Sequence, residues 1–179
     1  MTPKDCASRR SDWLRQLPPA GRFIFQGGAT ARAAAAAIWN VPFSNTACRA
    51  ETRGERATLW LGPDEYLLWQ TPRPTTHEMN ADLSAIQREH ACSIVDISDR
   101  QVAWEIFGPL AETILSGACA LDLAVECFPI GMCTRTPFAK ADIMLWRRRA
   151  DVFHLEAWRS FAPYVVALLL EIAAGYDPP

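Results

Sequence analysis

QVAWEIFGPLAETILSGA (101–118) reads as a β-prone run, a break at Gly108-Pro109 and a short helix. Pro109 stands near the first turn of that helix, where its missing N–H goes unused. The same order occurs earlier in the chain. RFIFQ (22–26) is β-prone, Gly27-Gly28 breaks it, and ATARAAAAAIW (29–39) follows with five consecutive Ala. That segment is a strong helix former with little side chain to bury, so it is expected to pack closely against a neighbour.

The two stretches open two similar halves. In the first, VPFSNTA (41–47) is a loop, and CRAET (48–52) with ERATLWL (55–61) reads as a hairpin around Arg53-Gly54. Gly62-Pro63-Asp64-Glu65 turns the chain into the strand YLLW (66–69), and TPRPTT (71–76) is a loop. HEMNADLSAIQREH (77–90) has helical spacing, with Met79, Leu83 and Ile86 on one face and Thr75 or Thr76 as cap; CSIVDIS (92–98) is a strand. In the second, a loop through LDLAVECFPIG (121–131) leads to the strands MCTRTPFA (132–139) and ADIMLW (141–146). RRRAD (147–151) then reads as a solvated turn into VFHLEAW (152–158). SFAPYVVALLLEIAAGY (160–176) is the last helix, with Ser160 as cap and Pro163 in its first turn.

Each half is a strand, a helix, a run of strands and a helix, close to the split βαβ of ferredoxin-like units, and such an arrangement makes an α+β fold. The expected organisation is an N-terminal arm, 1–20, and a single domain, 21–179, of two half-repeats, about 21–98 and 99–179.

The 179 residues are 50% hydrophobic and 21% charged, an ordinary globular balance that needs no disulfides. A net charge of −2 with 18 Lys plus Arg lacks the basic excess of a nucleic-acid binder. MTPKDCASRRSDW at the N-terminus has no apolar signal segment, and VVALLLEIAAG (165–175) is about half the length that spans a bilayer. The six Cys, at 6, 48, 92, 119, 127 and 133, form no CxxC and no Cys/His quartet. The expectation is a cytoplasmic protein with reduced thiols, without nucleic acid, membrane or metal. Seven Trp fit either an aromatic core or the buried centre of an interface.

The chemistry-bearing residues are sparse. Asp64 and Glu65 are sequence neighbours, and side chains of neighbours on an extended chain point apart, so they read as turn residues rather than a convergent acid pair. His77, His90 and His154 lie in no nucleophile or zinc motif; His154 alternates with Phe153 and Leu155 and is expected to face solvent or a partner. No dinucleotide or phosphate loop occurs. Asp96, Asp99 and Arg100 join the halves as a capping or ion-pair device, at a place that a ligand between halves would touch. Trp158-Arg159-Ser160-Phe161 has an interface composition, and the helix after it is apolar over more than one stripe. A central core helix and a helix covered partly by another chain both fit that pattern.

WLGPDEYLLW (60–69), VDISDRQVAWEIFGPLAETILSGACALDL (95–123), FPIGMC (128–133), FAKADIMLWR (138–147) and FHLEAWRSFAPY (153–164) together resemble the gamma subunit family of heterotetrameric sarcosine oxidase. The resemblance covers about residues 48–170. It implies a fold related to the folate-binding module of aminomethyltransferases. It also implies partners: a large alpha subunit, a flavin-carrying beta subunit and a small zinc-binding delta subunit. The complex so resembled demethylates sarcosine to glycine, makes hydrogen peroxide and passes the one-carbon unit to tetrahydrofolate. FAD, FMN, NAD and tetrahydrofolate would then belong to alpha and beta and zinc to delta. This chain would be non-catalytic and without a cofactor of its own. Gly62, Pro63, Asp64 and Glu65 become a family-marker turn, and Trp158, Arg159, Phe161, Tyr164 and Leu168 the candidate interface. The alternative is a chain that itself binds folate and transfers one-carbon units. Where relatives tend to have more aromatics after RSFA, this helix reads PYVVALLLEI, so its partner contact is expected to differ in detail.

Overall fold

The computed structural model describes residues 13–74 and 84–176. Ten described strands form two five-stranded sheets in which every neighbouring pair is antiparallel. Two compact units divide at Leu17/Pro18 and at Arg100/Gln101. Thr75, Thr76, His77, Met79, Leu83 and Cys6 lie outside the described residues.

After β1 (Leu14–Gln16) the chain enters the first unit. It runs β2 (Gly21–Gly27), α1 (Ala29–Trp39), β3 (Ala50–Arg53), β4 (Arg56–Gly62), β5 (Glu65–Gln70), α2 (helical over 84–89) and β6 (Cys92–Asp96). The sheet order is β3-β4-β5-β2-β6. Since β5 and β6 are both antiparallel to β2, they run parallel to each other on either side of it, and α2 lies on the crossover: a split βαβ. β2 and β4 flank β5 in the same way. Phe23 and Phe25 of β2 and Tyr66 and Leu68 of β5 alternate onto one face and pack against Ala31, Ala35 and Trp39 of α1 and Ile86 of α2. Small residues at Ala31 and Ala35 let α1 sit close. Trp39 closes the end, edge-on to Phe23, with its Nε1 donating to the Ala57 carbonyl at 3.1 Å. The end of β2 leaves no room for a side chain: a Cβ on Gly27 would lie 2.8 Å from the Cys92 Cβ.

The second unit runs β7 (Gln101–Phe107), α3 (Ala111–Ser116), β8 (Cys133–Phe138), β9 (Ala141–Arg149), β10 (Val152–Trp158), a 3-10 turn (Arg159–Phe161) and α4 (Ala162–Ala174). Its sheet order is β1-β7-β10-β9-β8. Here β7 takes the place of β2, β10 that of β5, and β1 that of β6. Residues 14–16, read from sequence as part of an arm, are therefore the fifth strand of the second sheet. Leu14 pairs with Ile106 and Gln16 with Trp104, and the Leu14 side chain is buried in the second core. That core joins Ile143 and Leu145 of β9, Phe153 and Leu155 of β10, Ile114 and Leu115 of α3, and Val165 and Leu169 of α4. A Cβ on Gly117 would lie 2.7 Å from the Ile172 Cγ2, so the end of α3 meets α4 at near contact.

Two local expectations are corrected. β9 continues through Arg147, Arg148 and Arg149, and the turn is Ala150-Asp151, so the basic run is strand rather than turn. Ser160 does not cap the last helix: it lies in the 3-10 turn, Phe161 is the N-cap residue without a side-chain cap bond, and Pro163 stands at the helix start.

Because Leu14 is a core residue, Leu14→Ala should destabilise the protein by about 2–4 kcal/mol in chemical denaturation. An unchanged midpoint would return residues 14–16 to the status of an appendage.

Candidate functional site

Gly62, Pro63, Asp64 and Glu65 connect β4 to β5, with a register shift between Trp60 and Gly62. Backbone carbonyls hold the turn in place. The Asp64 carbonyl accepts from the Gly27 N–H at 3.0 Å, and the Pro63 carbonyl from Arg32 at 3.4 Å. Arg32 also donates to the Tyr66 hydroxyl at 3.2 Å, which itself donates to the Ser44 carbonyl at 2.8 Å. The turn thus ties the start of β5 to the β2–α1 junction.

In the segment that leads into β7, the Asp96 carboxylate accepts the Ser98 N–H at 2.8 Å, and the Ser98 Oγ accepts the Arg22 N–H at 2.9 Å. Asp99 receives Arg73 through two bonds of 2.6 and 3.0 Å, and this pairing holds the guanidinium more firmly protonated than usual. These bonds close the first unit on itself.

His154 corrects a sequence expectation. It does point away from Phe153 and Leu155, but that face of β10 is buried as well. Its Nε2 lies 2.8 Å from Glu156 Oε1, with both side chains fully enclosed, and its ring is 5.7 Å from that of Trp146. Alternation located the side chain; burial on both faces of the sheet could not be seen from one strand.

Arg147 is the functional group that sequence reasoning missed. Its side chain is 3% exposed. It donates to the carbonyls of Leu123 at 2.7 Å, Phe128 at 3.0 Å and Ala150 at 2.6 Å, and to Glu112 Oε2 at 3.1 Å. The Phe153 ring lies 4.7 Å from the guanidinium. One planar fork therefore joins α3, the β9–β10 turn and both shoulders of the 119–132 loop. A signal existed: Arg147 continues the 143, 145 alternation of core-facing residues on β9. Arg148 instead stacks on Trp146 and approaches Glu105, which also pairs with Arg15.

The loop that Arg147 pins has its own bonds. The Asp122 carboxylate accepts the Ala124 N–H at 3.0 Å, and the Ala124 carbonyl accepts the N–H groups of Cys127 and Phe128. The bond from the Ala124 N–H, and then that from the Cys127 thiol, hold the Asp122 carboxyl below its usual range; the same carboxylate holds the exposed Cys127 thiol above its own.

The five candidate interface residues follow one another along the end of β10 and the first turns of α4. Trp158 is 46% and Phe161 39% exposed, Arg159 is exposed, and Tyr164 and Leu168 are half-buried against the second core. Phe161, Tyr164 and Leu168 share a helix face by their spacing of three and four. On another side of α4, Ala162, Pro163, Val166, Ala167 and Leu170 line a groove of about 430 Å³ with Gln16, Val102 and Trp104. Among the described residues no charged one lines it. Only Val165 and Leu169 of α4 are buried, so this apolar helix leaves much of its surface to solvent. Among the described residues no group of three or more His, Cys, Asp or Glu is placed to hold a metal ion.

Comparison with known proteins follows the same lines. The family model described as sarcosine oxidase, gamma subunit family, matches residues 26–175. The sarcosine oxidase subunit gamma of Corynebacterium sp. (strain P-1) is 30% identical over 120 residues, 67% of this chain and 58% of that relative's length. The subunit of the same name from Corynebacterium sp. (strain U-96) is 28% identical over 153 residues, 84% of this chain and 72% of its own. Among solved structures, a chain of the heterotetrameric sarcosine oxidase from Corynebacterium sp. U-96, in complex with pyrrole 2-carboxylate, superposes with a TM-score of 0.85. That superposition is at 24% identity and covers 93% of this chain and 85% of the other. The glycine cleavage system aminomethyltransferase T of Bartonella henselae gives 0.66 at 14% identity, over 88% of this chain and 45% of that one. These two likenesses establish the fold, including its relation to the aminomethyltransferase module.

Two measurements check this local chemistry. Arg147→Met removes donors from several buried carbonyls at once, and should lower unfolding free energy by at least about 3 kcal/mol; a loss below about 1 kcal/mol would contradict the assigned role. Asp122→Asn removes the charge that raises the Cys127 thiol pKa, so alkylation of Cys127 near neutral pH should quicken and its pH profile move down. An unchanged profile by peptide mass spectrometry would deny the coupling.

Proposed function

Since the chain belongs to the sarcosine oxidase gamma subunit family, we propose that it serves as the gamma subunit of a heterotetrameric sarcosine oxidase, a structural component without a reaction centre of its own. Its partners in this reading are alpha, beta and delta subunits. The complex would oxidise the N-methyl group of sarcosine, releasing glycine and hydrogen peroxide and loading the one-carbon unit onto tetrahydrofolate. FAD, FMN, NAD and tetrahydrofolate would be held in alpha and beta and zinc in delta, and the assembly would work in the cytoplasm. No helix among the described residues is long and apolar enough to cross a membrane.

The observation that carries the reading is the span of the family match, residues 26–175, which takes in both half-repeats. Residue chemistry supports it. The side chains that stand out are exposed aromatics and an apolar terminal helix, which suit association. Trp158, Arg159, Phe161, Tyr164 and Leu168 are proposed as one contact with a partner subunit. In this role Arg159 supplies a fork that can pair with a partner carboxylate at the rim, and Trp158 and Phe161 the area.

Co-expression with candidate flavoprotein subunits, followed by affinity and size-exclusion purification, tests the proposal. The expected product is a stoichiometric complex with flavin absorbance and sarcosine-dependent peroxide formation. Trp158→Ala together with Phe161→Ala should reduce recovery of the chain in the complex by about tenfold or more. A stable chain that never co-purifies with a flavoprotein, or one that binds tetrahydrofolate by itself in calorimetry, would overturn it.

A further inference from the structure

β9 meets β10 through a bulge that brings two consecutive arginines to one cleft. Val152 pairs with Arg149 and Phe153 with Arg147, so Arg148 is the extra residue between them. Strict alternation would put Arg149 on the core side with Arg147. Instead Arg149 lines a cleft of about 410 Å³ with Arg15, Glu105, Phe107, Gly108, Asp151 and Val152, all of the second unit. Arg148 reaches the same Glu105, 3.9 Å from its Oε1. Gly108, at φ +97, donates its N–H to the Asp151 carbonyl at 3.0 Å, which joins the end of β7 to the β9–β10 turn.

The cations at this cleft are oriented by the fold. Glu105 is enclosed, with its side chain 7% exposed, and it pairs with Arg15 through Oε2 and with Arg148 through Oε1. The Arg15 guanidinium also lies 5.8 Å from the Phe107 ring, and that of Arg148 5.0 Å from the Trp146 ring. Arg15 reaches Glu105 through Nη2 alone, which leaves the rest of its fork to a ligand. Among the described residues no hydrogen bond or ion pair engages the Arg149 guanidinium or the Asp151 carboxylate. His154 and Glu156, next on that side of β10, are enclosed and bonded to each other. The charges at the cleft are therefore the guanidiniums of Arg15, Arg148 and Arg149 against the carboxylates of Glu105 and Asp151, an excess of one positive charge.

We propose that this cleft binds a small monocarboxylate. The carboxylate takes the fork of Arg149 and the remaining donors of Arg15, and the hydrocarbon part lies on Phe107 and Val152. A single negative charge matches the excess, and Asp151 repels a second one. The volume is that of a small-molecule site. Binding involves no chemical step, and the proposal stands apart from the subunit reading.

The test titrates the full-length wild-type chain with butyrate, followed by amide NMR and calorimetry. The expected result is saturable binding that shifts the Gly108 and Asp151 amides, with sulfate, a dianion, at least about tenfold weaker. Arg149→Met should weaken butyrate binding at least about tenfold at an unchanged melting temperature, since this exposed side chain makes no bond that the fold uses. Asp151→Asn should narrow the difference between sulfate and butyrate. Shifts that never saturate, or Arg149→Met with unchanged affinity, would overturn the site. Sulfate binding as tightly as butyrate would reduce it to a basic patch without selection and overturn the proposal. So would 2-aminobutyrate binding tenfold tighter than butyrate, which would make the ligand a zwitterion. As a second arm, phenylglyoxal modification of Arg149, read by peptide mass spectrometry, should proceed alike in the free chain and in its complex with co-expressed flavoprotein subunits, and butyrate should slow both. Modification in the free chain alone would mean that a partner chain fills the cleft, and the small-molecule proposal would fall. Failure of the chain to enter any complex would count against the subunit reading alone.

Discussion

The opening strand of each half must find two antiparallel neighbours, and the rest of the architecture depends on this. A buried strand carries backbone donors and acceptors on both edges, and none can be left unpaired without a cost comparable to a lost hydrogen bond. β2 meets the requirement with β5 on one side and β6 on the other, seven residues of strand covered by two partners. β7 meets it with β10 and, on the other side, with β1. The second half has no fifth strand after α4 within the described residues, so residues 14–16 fill the place. Both helices of each half are then directed to one side of their sheet. The second half is completed by residues that precede the first.

Arg147 supplies a second constraint of a different kind. The β8–β10 part of the second unit is joined to α3 by a long segment without strands or helices, whose carbonyls need partners. A guanidinium has five donors in a fixed plane, and here they reach four backbone or carboxylate oxygens on three separate stretches of chain. A lysine has the charge but not the fork. This explains how an irregular loop can hold a defined shape, and why the charge can lie inside the protein: it is solvated by the peptide groups that it organises. A loop held in this way suits the subunit role proposed for the chain.

Much of the fold is legible one segment at a time. ATARAAAAAIW gives a helix over the same residues, 29–39, because alanine propensity needs no tertiary support. The hairpin at Arg53-Gly54 is legible because Gly54 adopts φ +59, a conformation that suits glycine. The repeat of order in the two halves carries through to matching sheet orders. The candidate site is less legible. Three residues, Leu14-Arg15-Gln16, are too few to show a strand period, so only their pairing with β7 makes them a strand. Ser160 has the right side chain to cap a helix, but Arg159 through Phe161 form a 3-10 turn and move the helix start past it.

By itself, the sequence determined the class of the fold, the boundaries of the elements with strong local preference, and the family. Each of these rests on propensity, on alternation within one strand or on the order of motifs, all of which are local or collinear. Tertiary structure alone decided which residues are inside. His154 is enclosed because the sheet is buried on both faces, and Arg147 because carbonyls from separate loops converge on it. Burial and multi-point hydrogen bonding are properties of segments distant in the chain, so no single stretch records them.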